Sequence, residues 1–230
     1  MFKKKSKVKN IIFTSVFDVS DQYAPRLATK CIPDWYKKME SRFPKEKKPD
    51  SMRTIKKCIP VLDAITAGYI IVSPCDVYVS LIDGEPNFNS PITDLIQFHP
   101  RKQGYLHPSV NEFPFPKWMN PWAIKTPKGY SCLFVPPMHN PNEWFTILEG
   151  IVDTDTYSAS VNFPFVLKNP TAEFMIPAGT PIAQVIPFKR NEWVSKVSKD
   201  RSEHTKIVMY LQSQFFDRYK RMFWERKSYS

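Results

Sequence analysis

Residues 148–188, LEGIVDTDTYSASVNFPFVLKNPTAEFMIPAGTPIAQVIPF, decide how the rest of this chain is read. Apolar residues alternate with other types in NFPFVL and again in IAQVIPF, the period-two pattern of strands half buried in a sheet. Two of the six glycines lie here, Gly150 and Gly179, among turn-forming Asp, Asn and Pro. Gly179 in IPAGTP suits the positive φ of a tight turn, and Gly150 suits a strand kink or a close backbone approach. The stretch predicts strands near 145–152, 158–166, 172–175 and 182–188.

The same texture extends upstream. Strands are expected at 11–19, 69–73, 76–82, 87–89, 95–99, 122–125 and 130–135, with Asp83-Gly84 as a hairpin turn. VLDAIT, after Pro60, predicts a short helix that Gly68 ends in a left-handed conformation. Another short helix, 35–41, follows Asp34 as its cap, with Trp35, Tyr36 and Met39 on one side. The tetrapeptide KCIP occurs at 30–33 and 57–60, each time before a helix, but the similarity stops there and marks no repeat. Residues 101–127 read as an ordered aromatic loop. Downstream, Ile207, Met209, Tyr210, Leu211, Phe215, Phe216, Tyr219, Met222 and Phe223 recur at helical spacing between Arg and Lys, which predicts an amphipathic helix over 206–225.

Composition agrees with a sheet protein. There are 22 prolines in 230 residues, and proline, which cannot donate to a sheet ladder, marks strand ends and loops. Apolar residues make up 42% and aromatics 14%, enough for a packed core. The expected fold class is mainly β: a double-sheet, barrel-like core with short helices and a C-terminal amphipathic helix. One β-rich domain spans 1–205 with a basic N-terminal segment, and the basic, aromatic helix occupies 206–230.

Charge is unevenly spread about a net +11. Residues 1–60 carry +10, residues 61–186 carry −5 and residues 187–230 carry +6. Basic ends flanking an acidic centre fit contact with nucleic acid or an acidic partner, and equally fit solvated termini. The four cysteines, Cys31, Cys58, Cys75 and Cys132, form no CxxC pair and are expected to be reduced. No signal peptide or membrane span is expected. The expected location is the cytosol.

At GIVDTDTYSASVNFPFVLKNPTAEFMIPAGTPIAQVIPFKR the chain resembles the central strands of the dUTPase and dCTP deaminase superfamily, whose fold is a β-clip. The resemblance rests on Gly150, Ile151, Val152 and Asp153, then Tyr157, the turn at Leu167 and Asn169, and Pro177, Gly179, Ile182, Ala183 and Gln184, over about 40 residues. It implies Asp153 as the group that activates water or fixes the deoxyribose hydroxyl, with Tyr157 and Gln184 contacting ligand. It would bring Mg²⁺ only with a nucleotide pyrophosphatase activity; otherwise no cofactor is expected. The family's serine-glycine phosphate motif has no counterpart in FVPPMHNPNE, and its glycine-rich closing arm is missing, since no glycine follows Gly179. Phosphate cradles need glycine or exposed backbone amides.

IPAGTP also looks like the PxGxxH string of cupins, but Ile182 stands where the metal histidine belongs. His99, His107 and His139, with Glu143 or Glu149, are the outside candidates for a metal site. The wider chain (CIPDWYKKM, TIKKCIPVLDAITAGYII, FPKW–NPW) resembles an uncharacterised group common in tailed bacteriophages, which implies a viral source and a location in the host cytoplasm, extending to association with a virion. No GxSxG, P-loop or GxGxxG is present.

KWMNPWAIKTPKGY sets Trp118 and Trp122 among Lys117, Lys125 and Lys128. Such a segment packs beneath a loop, anchors a protein interface, or stacks bases. The sequence thus points to a non-catalytic binding or assembly protein. Trp118, Trp122, Phe215, Phe216, Tyr219 and Phe223 would form interfaces to other subunits, in a homo-oligomer or viral assembly. The alternatives are a divergent nucleotide pyrophosphatase or deaminase using Asp153, and a metal-dependent β-barrel enzyme.

Overall fold

A computed structural model describes residues 9–43, 53–104, 107–108, 115–212 and 219–230. In chain order its strands are β1 (Ile12–Ser15), β2 (Arg26–Leu27), β3 (Tyr69–Val72), β4 (Val77–Ile82), β5 (Glu85–Asn89), β6 (Ile96–His99), β7 (Phe115–Trp118), β8 (Trp122–Lys125), β9 (Tyr130–Val135), β10 (Phe145–Ile147), β11 (Gly150–Val152), β12 (Phe163–Leu167), β13 (Phe174–Ile176) and β14 (Pro181–Lys189). The α-helices are α1 (Asp34–Lys38), α2 (Ile59–Thr66) and α3 (Ser202–Gln212).

Every strand pairing is antiparallel, and the described strands form four sheets. The largest has the order β11-β9-β14-β3-β2. A second runs β10-β12-β7-β6, a third β13-β4-β5, and β1 pairs with β8. The fold is mainly β as expected, and among the described residues no sheet closes on itself into a barrel.

One hydrophobic cluster draws on all four sheets. Ile71, Val79, Ile124, Phe134, Phe165 and Ile182 all lie in it, fully or almost fully buried. The period-two reading accounts for this: in β12, Phe163, Phe165 and Leu167 are buried while Pro164 and Val166 are half-buried. β3 is buried at all four positions because β14 and β2 flank it on either side.

Turn chemistry is where expected. Asp83 and Gly84 both have positive φ, as a two-residue hairpin between β4 and β5 requires. Gly68, just past α2, has φ +67°, and a Cβ there would lie 1.9 Å from the Val185 carbonyl oxygen. Gly150 differs: its φ is not left-handed, and a Cβ would meet nothing within 4 Å, so neither kink nor close approach requires it.

Several boundaries depart from expectation. The run 145–152 is two strands in two sheets, because β10 pairs with β12 and β11 with β9. β7, inside the expected aromatic loop, is a central strand paired with both β12 and β6. Asp34 is the first residue of α1, not its cap; Pro33 precedes it and no side chain caps the helix. Past α3 the described chain resumes with a helical turn at Tyr219–Phe223.

Trp118 and Trp122, expected at an interface, lie in the core at 1% and 7% exposure. Trp118 is registered against Phe163 on one side and Ile96 on the other. Its ring centroid lies 5.4 Å from that of Phe145 and 5.7 Å from that of Phe165. Aromatic pairs at this spacing favour burial beyond the area they remove from water.

Candidate functional site

The end of β11 sets the geometry around Asp153. The Thr156 and Tyr157 amides both donate to the Asp153 carbonyl, at 3.0 and 2.8 Å, so the chain turns immediately after Val152. Thr154 is fully buried; its hydroxyl lies 2.7 Å from that of Thr126 and donates to Cys132 Sγ at 3.3 Å. With Thr154 pinned inward, the acids on either side of it reach one guanidinium. Arg190 Nη1 lies 2.9 Å from Asp153 Oδ1 and 2.9 Å from Asp155 Oδ1, and Nη2 donates to Asp155 Oδ2. The Ser131 hydroxyl donates to Asp153 at 2.7 Å, and the Gly129 amide to Asp155 at 2.7 Å. The Arg190 amide donates in turn to the Gly129 carbonyl at 2.9 Å. Two carboxylates and one guanidinium thus join the ends of β11 and β14 to the start of β9.

The electrostatics follow from these bonds. Arg190's hydrogen bonds, and then the Gly129 amide, bring the Asp155 carboxyl down to about 2. The Ser131 hydroxyl, and then Arg190, hold Asp153 below the ordinary carboxylate range. A general base works best with a pKa near the operating pH, so these bonds weaken Asp153 as a proton acceptor. Its side chain is 60% exposed. Tyr157 is half-exposed, and neither it nor Asp153 lines the clefts beside Tyr229, Met138 or Phe43.

Gln184, the other implied ligand contact, is fully buried and committed internally. Its Oε1 accepts from the Met138 amide at 2.8 Å, and its Nε2 donates to the Ala64 and Ala67 carbonyls at 2.8 and 2.7 Å. It fastens β14 to the end of α2 and to the loop after β9. That loop borders a cleft of about 520 Å³, lined by Pro136, Met138, His139, Phe145, Glu149 and Ile182 among others.

The three candidate histidines do not combine. His99 lies in β6, where burial lowers its pKa, and His107 is exposed. His139 sits in the cleft-forming loop, and its carbonyl accepts from the Trp35 indole at 2.7 Å. Among the described residues no three His, Cys, Asp or Glu side chains are grouped so as to hold a metal ion. No described helix is long and apolar enough to cross a membrane.

The region after β14 carries features that pattern reading missed. Residues 191–201 have no regular secondary structure and are exposed throughout. Trp193 is 87% exposed, Val194 85% and Val197 99%. α3 leaves Met209, Tyr210 and Leu211 exposed. Phe215 and Phe216 fall outside the described residues; Tyr219 and Phe223 are 44% and 43% exposed.

Beyond that turn, the chain returns to the body. The Trp224 indole donates to both Asp63 carboxylate oxygens at 3.0 and 2.9 Å, and Lys227 Nζ lies 2.7 Å from Asp63 Oδ2. Tyr229 meets Tyr69 edge to face with centroids 6.1 Å apart, and the Tyr69 hydroxyl donates to the Ser230 carbonyl at 3.2 Å. The sequence signal for the exposed stretch was a tryptophan and two valines in an otherwise polar tract.

These features define a mainly β protein whose resembling segment is closed by an internal ion-pair network. No protein-family model matches the sequence, and no curated protein matches it. Among solved structures, a mutant dUTPase from phage phi11 of S. aureus aligns with 76% of this chain and 95% of its own, at 12% identity and a TM-score of 0.34. A mutant dUTPase of Staphylococcus bacteriophage 80alpha aligns with 70% of this chain and 85% of its own, at 13% identity and a TM-score of 0.33. No residue role is carried across at these values.

Proposed function

We propose that this chain is a non-catalytic binding and assembly protein that associates with copies of itself. The observation that carries this reading is the exposed apolar stretch after β14, with Trp193, Val194 and Val197 at 87%, 85% and 99%. Single exposed apolar residues are ordinary, but a tryptophan and two valines within five residues favour burial against a partner. Tyr219 and Phe223 are exposed as well, whereas Trp118 and Trp122 serve the core. The state of Asp153 supports the reading too, since Ser131 and Arg190 already occupy its carboxylate. A bacteriophage source, implied by the resemblance of the wider chain, belongs to this proposal.

Sedimentation velocity across a concentration series tests it. The wild-type chain is expected to associate, and Trp193→Ser with Val197→Ser to weaken association at least tenfold without lowering the melting temperature. A wild-type chain that stays monomeric at all concentrations would overturn the reading. So would turnover of a deoxynucleotide triphosphate that is lost in Asp153→Asn.

A further inference from the structure

We infer that the lobe formed by residues 26–43 and 53–57 is a binding surface for single-stranded nucleic acid, with Phe43 as the platform for a base and Arg42 and Arg53 as contacts to the phosphates beside it. This contact is separate from the proposed self-association, which the region after β14 would carry.

The lobe is fastened by bonds that leave its outer cations out. Lys56 Nζ donates to the Lys37 and Met39 carbonyls, both at 2.7 Å, and so caps the end of α1. The Tyr36 hydroxyl donates to the Lys56 carbonyl at 3.1 Å, and the Trp35 indole ties α1 to the His139 carbonyl. The Thr54 hydroxyl donates to the Glu40 carbonyl at 2.5 Å, and its amide to the Ser41 carbonyl at 3.3 Å. These bonds set 41–43 beside 53–55. They frame a cleft of about 470 Å³, lined by Met39, Arg42, Phe43, Arg53 and Ile55 among others. Phe43 is 57% exposed there and Ile55 45%. Arg42 lies directly opposite Arg53 in an antiparallel bridge. Residues so opposed project to one side about 5 Å apart, where like charges repel and an anion between them removes the repulsion.

Charge selects a polyanion for this cleft. Residues 26–43 and 53–57 hold eight Lys or Arg against two Asp or Glu, whereas residues 61–186 hold six against 11. Lys30, Lys38 and Lys57 are exposed on the same lobe as the two arginines. A polyanion is therefore drawn to the lobe and repelled by the body behind it. Each guanidinium carries five donors in a planar fork that matches phosphate oxygens in pairs. An exposed aromatic ring in a basic cleft takes the face of an unpaired base while the cations follow the backbone. Bases paired in a duplex keep their faces stacked on one another, and α1, at five residues, is too short to read a major groove. The combination of Phe43 with Arg42 and Arg53 thus fits a single strand.

Fluorescence anisotropy of a labelled oligothymidylate, titrated with the full-length chain over a range of salt concentrations, tests it. Phe43→Ala is expected to weaken binding about tenfold with an unchanged salt slope, because it removes stacking and no charge. Arg42→Gln with Arg53→Gln is expected to lower the log–log salt slope by about 1.4, two phosphate contacts at ~0.7 each. Lys38→Gln with Lys57→Gln replaces the arginine pair where thermal melting shows that variant to be unfolded. Lys102→Gln with Lys125→Gln, exposed outside the lobe, removes the same charge and is expected to leave binding within twofold of wild type. No binding at about 50 mM salt would overturn the inference. So would a Lys102 and Lys125 variant as weak as the arginine variant, a duplex of the same length bound as tightly as the single strand, or polyglutamate competing as well as unlabelled oligothymidylate. Capture by phosphatidylserine vesicles without oligothymidylate binding would make the lobe a membrane contact instead. None of these outcomes bears on self-association, which sedimentation reads without nucleic acid.

Discussion

Replacing Gln184 isolates the contact that ties the largest sheet to α2. Its amide group is fully buried and makes three hydrogen bonds, all to backbone: one from the Met138 amide and one each to the Ala64 and Ala67 carbonyls. Ala64 lies in the last turn of α2, where carbonyls have no partner within the helix, so Gln184 serves as a cap delivered from a strand. Gln184→Ala leaves three part-buried backbone groups unpaired. Each costs about 1–3 kcal/mol, so partial relaxation leaves an expected loss of about 3–5 kcal/mol. That is a large share of the ~5–15 kcal/mol that holds a typical domain folded. At roughly 2–4 °C per kcal/mol for a chain of this length, the melting temperature should fall by about 10 °C.

Gln184→Glu separates hydrogen bonding from volume. The variant keeps an acceptor for Met138 but, ionised, aims an oxygen at two carbonyl oxygens. Burial beside acceptors raises its folded pKa above the ~4.3 of a free glutamate. A raised pKa contributes stability that is present at low pH and lost as pH rises through the folded value. This variant should therefore be closer to wild type at pH 4 than at pH 7. Urea unfolding followed by circular dichroism at both pH values gives the numbers. A loss below about 1 kcal/mol for Gln184→Ala, or a glutamate variant equal to wild type at pH 7, would refute the capping argument.

Gly68→Ala should destabilise by more than about 4 kcal/mol, since it combines strained φ with a Cβ 1.9 Å from the Val185 carbonyl oxygen. Gly84→Ala, with equally left-handed φ but open space, should cost only about 1–2 kcal/mol, and equal melting temperatures for the two variants would contradict this. Trp118→Ala should cost about 3–5 kcal/mol by opening a cavity in the core, as measured by denaturant unfolding, whereas Trp193→Ser should leave unfolding unchanged. Because the folded pKa of Asp155 lies below its unfolded value near 3.9, the ion pair's stabilisation is present above about pH 4 and lost as pH falls through about 2. Arg190→Gln should flatten the acid limb of the stability curve between those values, and an unchanged limb in acid titration would remove Arg190 as the cause.

The strands were legible because their signals are local. Alternation placed β9 and β8 at their observed bounds, and Asp83-Gly84 and Gly68 marked turns that each need positive φ. The break between β10 and β11 was not legible: 145–152, FTILEGIV, reads as a single strand, and only pairing with different partners divides it. Asp153 shows the same limit for a site. Its neighbours, Gly150 and Tyr157, were in view, but the groups that fix its chemistry are Ser131 and Arg190, 22 and 37 residues away. A carboxylate's role depends on what faces it, and spacing along one strand does not report that.

The two tryptophan-bearing segments make the argument sharper, because their sequence contexts suggest the reverse of their environments. Trp118 sits beside Lys117 and near Lys125 and Lys128, which reads as a surface, yet in β7 alternation turns Lys117 outward and Trp118 inward. What buries Trp118 is β7's position between β12 and β6, a count of neighbours that no local pattern contains. Trp193 lies in NEWVSKVSKD, where Trp193, Val194 and Val197 keep the i, i+3 and i+4 spacing of a helical stripe, yet residues 191–201 form neither helix nor strand. Without a helix or sheet of its own, the stretch leaves these apolar residues exposed, and the proposed self-association would cover them. A helical spacing that forms no helix, in an otherwise polar tract, is thus the sequence mark of the region that the proposed self-association would engage.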